Sequence, residues 1–108
     1  MPFTVVAAPP PQTPTRFNLV QTTYHGGDVV VVRFPGPMHA APGEQFWVTV
    51  VSLGAADTSW GTYEYVVEGA RTARLSVPTA PGDYEIRLHA NYPKRSTNVV
   101  HRATIHVE

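Results

Sequence analysis

The chain contains no cysteine among its 108 residues. Disulfide staples, thiolate metal centres and cysteine nucleophiles are therefore excluded. Charge is scarce as well: eight basic and eight acidic side chains cancel to a formal net charge of zero. Gripping a nucleic-acid backbone needs a concentrated positive field, so nucleic acid is not an expected partner. Long hydrophobic runs are also missing. Apolar stretches such as residues 29–32 fall far short of the roughly 20 residues that a membrane-spanning helix needs, and no membrane insertion is expected. The opening residues, MPFTVVAAPPPQTPTRF, have neither the basic start nor the long apolar centre of a secretory signal. The expected location is cytoplasmic or virion-associated. Helical periodicity is absent too: nowhere do apolar residues recur at spacings of three and four across about ten positions.

Proline and glycine are plentiful, with 11 and 8 copies. They cut the chain into short β-prone runs. The most telling run is Ala80-Pro81-Gly82-Asp83-Tyr84-Glu85-Ile86-Arg87-Leu88, a tight turn feeding an alternating strand that begins on an aromatic. It has an echo in Ala41-Pro42-Gly43-Glu44-Gln45-Phe46-Trp47-Val48. Strands are predicted over 16–22, 28–34, 45–53, 62–67, 71–77, 83–90 and 98–107, bounded by Gly, Pro, Asn and Asp. Glu68-Gly69-Ala70 predicts a hairpin between 62–67 and 71–77. About seven short strands at this spacing predict a single all-β domain, an Ig-like antiparallel β-sandwich with Greek-key connections, over residues 15–108. Residues 1–14 form a separate Pro-rich N-terminal arm. There Pro9, Pro10, Pro11 and Pro14 favour an extended, polyproline II backbone.

Alternation assigns the faces. Tyr84, Ile86, Leu88 and Ala90 read as inward, and Asp83, Glu85, Arg87 and His89 as facing water. Two strands break the pattern. Residues 29–32 and 46–53 are apolar on both faces, and such a strand needs cover on both. A loop, the N-terminal arm or another subunit can supply that cover. Phe46, Val48, Val50, Val30 and Val32, with Phe3 and Val5 of the arm, are the candidate interface residues on this reading.

The order Tyr24, Gly27, Val29, then a Gly/Pro-rich loop, Phe46-Trp47-Val48, Trp60, residues 63–67 and finally Pro81-Gly82-Asp83-Tyr84-Glu85-Ile86-Arg87 resembles SKICH-type and bacterial Ig-like β-sandwich interaction modules over about residues 20–107. The resemblance implies a non-catalytic interaction module. Tyr84, at the start of a strand after a tight corner, resembles the tyrosine corner of Ig-like sandwiches.

The residues that carry chemistry are sparse. No serine sits in a nucleophile-elbow context, no Gly-rich loop cradles phosphate, and Asp57, Glu64, Glu68 and Glu85 are scattered. No enzymatic activity and no cofactor are expected. His89 and His106 share the outward parity of two strands and are the candidate metal pair. Trp60, Tyr63 and Tyr65 are a candidate aromatic platform for sugar or peptide, with core packing as the alternative. The expected function is a structural or protein–protein interaction subunit of a larger assembly, such as a phage-type decoration protein or a bacterial adaptor. Its partner is itself or another subunit. The alternative is a module binding a small ligand, carbohydrate or metal.

Overall fold

The computed structural model describes residues 15–108. The proposed arm, with Phe3 and Val5, lies outside the described residues. The described chain is all-β, without a helix. Its strands are β1 (Asn18–Leu19), β2 (Thr23–Tyr24), β3 (Val29–Arg33), β4 (Gln45–Ser52), β5 (Tyr63–Tyr65), β6 (Thr72–Ser76), β7 (Gly82–Tyr92) and β8 (Val99–Val107). They form a three-stranded sheet, β1-β3-β6, and a five-stranded sheet, β2-β8-β7-β4-β5, which curls as a half-barrel.

The two sheets share one core. Val30, Val32, Ala73 and Leu75 come from the smaller sheet, and Val48, Val50, Ile86, Leu88, Ile105 and Val107 from the larger. Alternation is the cause. On β6 Ala73 and Leu75 turn inward while Thr72, Arg74 and Ser76 stay wet. Opposite them, Leu75 pairs with Val30 and Ala73 with Val32. Each fully buried aliphatic side chain of this kind stabilises the fold by roughly 1.5–3 kcal/mol.

Two sequence expectations need correction. Residues 16–22 do not run as one strand. β1 pairs antiparallel with β3, and β2 then pairs parallel with β8, so the chain changes sheet between Leu19 and Thr23. The hairpin expected between 62–67 and 71–77 does not form, because β5 pairs with β4 and β6 with β3. The reason lies in the backbone donors and acceptors of 66–71. The Val66 N–H bonds the Phe46 carbonyl, while the Ala70 and Arg71 carbonyls accept the Met38 and Phe34 N–H groups. The loop after β3 thus supplies the partners that a hairpin would have supplied, and the chain crosses from one sheet to the other.

At the start of β7 the Tyr84 hydroxyl donates to the Ala80 carbonyl at 2.7 Å. That bond ties the strand to the turn before it.

Candidate functional site

In antiparallel ladders, residues directly opposite one another share a face. Trp47 pairs with Tyr65 on one side and His89 on the other, and Thr49 pairs with Tyr63 and Arg87. The face of the larger sheet turned away from the core therefore carries aromatics at its β5 edge and polar side chains at its centre.

The centre is dry. Arg87 and His89 are both 0% exposed, and Glu85 and Thr49 are buried beside them. This corrects the expectation that Glu85, Arg87 and His89 face water; only Asp83 of that row stays exposed. Parity was right but cover was missed. The loop 53–62 lies over this face and is held there by it. Arg87 donates from Nη2 to the Ala55 carbonyl at 2.5 Å and from Nη1 to the Ala56 carbonyl at 2.6 Å. Glu85 Oε1 accepts the Gly54 N–H at 3.2 Å, and Arg102 Nη2 reaches Asp57 at 3.1 Å. Thr49 Oγ1 donates to the Thr62 carbonyl and accepts the Gly61 N–H, both at 2.9 Å. Gly61 is required here: a Cβ at that position would lie 2.5 Å from the Val50 carbonyl oxygen.

Electrostatics match the burial. Burial alone raises the Glu85 carboxyl, but the Gly54 N–H and the Arg87 and Arg102 guanidiniums outweigh it and hold the pKa below the usual value. His89 is pushed down to about 4, first by burial and then by the Arg87 charge. It is neutral near pH 7. Its Nδ1 accepts the Asn98 N–H at 2.9 Å, so the ring proton sits on Nε2. That Nε2 and the Trp47 Nε1 are buried donors with no hydrogen-bond partner among the described residues.

At the β5 edge the cover ends and a cleft of about 340 Å³ opens. It is lined by Trp47, Trp60, Tyr63, Tyr65, Tyr92, Ser96 and Thr97. The rings form a continuous chain. Trp60 meets Tyr63 edge-on at 5.6 Å, Tyr63 meets Tyr65 at 5.6 Å, and Tyr65 meets Tyr92 at 5.7 Å. Trp47 closes the floor, edge-on to Tyr63 at 6.1 Å and stacked on His89. Trp60 is 61% exposed, and Tyr63 and Tyr65 are each more than two-fifths exposed. Hydrogen bonding with Tyr92 is the main cause that raises the Tyr65 phenol pKa. The far wall is fixed by the turn after β7. There Asn91 adopts a positive φ of 66°, accepts from Asn98 and donates to Glu44.

The structure brings together one of the three sets of candidates. Trp60, Tyr63 and Tyr65 share the cleft, and core packing does not absorb them. Trp47, Tyr92, Ser96 and Thr97 complete it and escaped the sequence reading; the pairing of Trp47 with Tyr65 was the missing information. Phe46, Val48, Val50, Val30 and Val32 are corrected as interface residues. All five are buried in the chain's own core, so their apolar surface is already covered by the chain itself. The alternating faces of β4 are divided between two covers: Phe46, Val48 and Val50 meet the core, while Trp47 and Val51 lie buried on the opposite face, which loop 53–62 overlies. His89 and His106 are corrected as a metal pair. His106 lies opposite Asp83 and His89 opposite Val99, six residues further along β7, or roughly 20 Å at the rise of a strand. His106 instead contacts Asp83 at 2.8 Å. Among the described residues no cluster of three or more His, Cys, Asp or Glu is placed to hold a metal ion.

Comparison of the chain with protein-family models and with curated proteins gives no match.

Proposed function

We propose that this chain is a non-enzymatic protein-interaction subunit of a larger assembly, built as an Ig-like sandwich, and that its contact surface is the aromatic cleft. The strand order supports the Ig-like reading. The smaller sheet joins the first, third and sixth strands, and the larger holds β4, β7 and β8 side by side with β2 parallel to β8. The Tyr84 hydroxyl bond to Ala80 supports it as well.

The observation that carries the function is the row of exposed rings Trp60, Tyr63 and Tyr65 continuing into Tyr92. Tyrosine and tryptophan dominate interface hot spots because they bring large contact area with few rotatable bonds. A second reading, carbohydrate binding at the same cleft, draws on the Ser96 and Thr97 side chains beside the rings.

The test is a concentration series of amide NMR spectra. Shifts are predicted to move at Trp60, Tyr63, Tyr65, Tyr92 and Thr97 as the protein is concentrated. They are predicted to stay fixed at Val20 and Val29, exposed apolar residues elsewhere. Movement at Val20 and Val29 with a silent cleft contradicts the proposal.

A further inference from the structure

We infer that the aromatic cleft is a polyproline II docking site, and that its occupant is the Pro-rich segment 9–14 of a second copy of this chain. The inference rests on the interaction reading above and names the partner.

Donors and acceptors match first. A proline-rich strand in the polyproline II form has no internal hydrogen bonds, and each proline lacks an N–H. Such a ligand presents pyrrolidine rings and bare carbonyls. A site for it needs aromatic walls and hydrogen-bond donors, which is how Pro-rich segments are read by aromatic-lined grooves. This cleft offers four exposed or half-exposed rings and the Tyr, Ser96 and Thr97 hydroxyls, above a floor formed by the buried Trp47.

Charge matches next. None of the seven lining residues is ionic at neutral pH. Residues 1–14, MPFTVVAAPPPQTP, carry no charged side chain. Neither surface leaves an ionic group to be desolvated without a partner, which is the costly outcome in a closed interface.

Length and position select the second copy. Pro9-Pro10-Pro11 runs into Pro11-Gln12-Thr13-Pro14, a P-x-x-P sequence. Six residues in the polyproline II form span roughly 19 Å. That is the scale of the three ring-to-ring steps of 5.6, 5.6 and 5.7 Å. The described chain emerges beside β1 in the smaller sheet, where Phe17 is anchored edge-on to His101 at 4.6 Å. The cleft is on the far face of the other sheet. Proline-rich spacers are semi-rigid, so a segment leaving β1 favours a neighbour's cleft over its own.

The chain's two tryptophans, Trp47 and Trp60, both line the cleft, so intrinsic fluorescence reports on this site. The experiment titrates an end-blocked peptide of residues 5–15 into the full-length chain carrying Pro9→Ser, Pro10→Ser, Pro11→Ser and Pro14→Ser, which removes the competing segment. A saturable change is expected, at least tenfold weaker in the Trp60→Ala background and absent for a peptide with the same four serines. The unsubstituted full-length chain is compared with Trp60→Ala by light scattering, and cellohexaose is titrated in parallel. A silent peptide, with Trp60→Ala still lowering the mass of the assembly, overturns the occupant and leaves the interaction reading standing. A silent peptide with saturable cellohexaose binding overturns both in favour of carbohydrate recognition. A silent peptide with unchanged mass and no sugar binding also overturns both.

Discussion

The Trp47 indole lies flat on the His89 imidazole, ring centroids 4.0 Å apart and planes within 10°. The two residues are direct ladder partners on β4 and β7, so sheet register alone places the rings face to face. Trp47 lines the cleft and His89 lies on the buried polar face beside Arg87 and Glu85, so this stack joins the cleft to the face that holds loop 53–62. The Asn98 N–H, donated to Nδ1, requires a neutral imidazole with its proton on Nε2.

The first prediction concerns acid stability. His89 has a folded-state pKa of about 4 against an ordinary 6.5. Between those values the unfolded chain binds the extra proton, so stability is full above pH 6.5 and is lost as pH falls toward 4. The loss between pH 7 and pH 5 is about 2 kcal/mol. Glu85 acts in the same direction but lower: its pKa sits below 4.5, so its contribution is lost only beneath that value. Urea midpoints at pH 7 and 5 measure the effect. In His89→Phe, which keeps an aromatic ring on Trp47, the His89 part of this slope is expected to vanish.

Arg87 is expected to be the chain's most costly polar residue to replace. Its guanidinium bonds two successive loop carbonyls and sits 3.5 Å from Glu85 with no solvent exposure. Arg87→Met removes both loop bonds and weakens the compensation of a buried carboxylate, a loss of roughly 3 kcal/mol. Arg87→Lys recovers little, because an ammonium cannot reproduce the planar fork. Equilibrium unfolding measures the loss, and limited proteolysis is expected to shift its cleavage into residues 53–62.

Tyr84→Phe removes only the hydroxyl that bonds Ala80. The expected cost is about 1 kcal/mol, seen as a lower urea midpoint with an unchanged slope, since the surface exposed on unfolding is the same.

The sequence made the strands legible because alternation is a local property. Ile86, Leu88, Ala73 and Leu75 show it, and the core contains them all. It made the need for cover on β4 legible for the same reason: Phe46 and Val48 alternate with Trp47 and Val51, and every one of them is buried. What supplied the cover was not legible. Loop 53–62 reads as polar and solvent-facing in Ala-Ala-Asp-Thr-Ser, and only folding sets its carbonyls against Arg87. The same limit hid half of the cleft. Trp60, Tyr63 and Tyr65 are near neighbours in sequence, whereas Tyr92, Ser96 and Thr97 reach them through the β4–β7 ladder and the turn after β7. Hairpin 62–67/71–77 failed because local turn chemistry was outcompeted by distant backbone partners at Phe34 and Met38.

The most direct measurement is the mass of the full-length chain in solution by light scattering over a rising concentration series, alongside Trp60→Ala. Trp60 is largely exposed and outside the core, so its removal is expected to leave the fold intact; the edge-on contact with Tyr63 that it gives up is worth about 0.5–1.5 kcal/mol. The account predicts that the unsubstituted chain rises above the 11.8 kDa of a single copy while Trp60→Ala stays at that mass. A single-copy mass for both, or an equal rise in both, contradicts it.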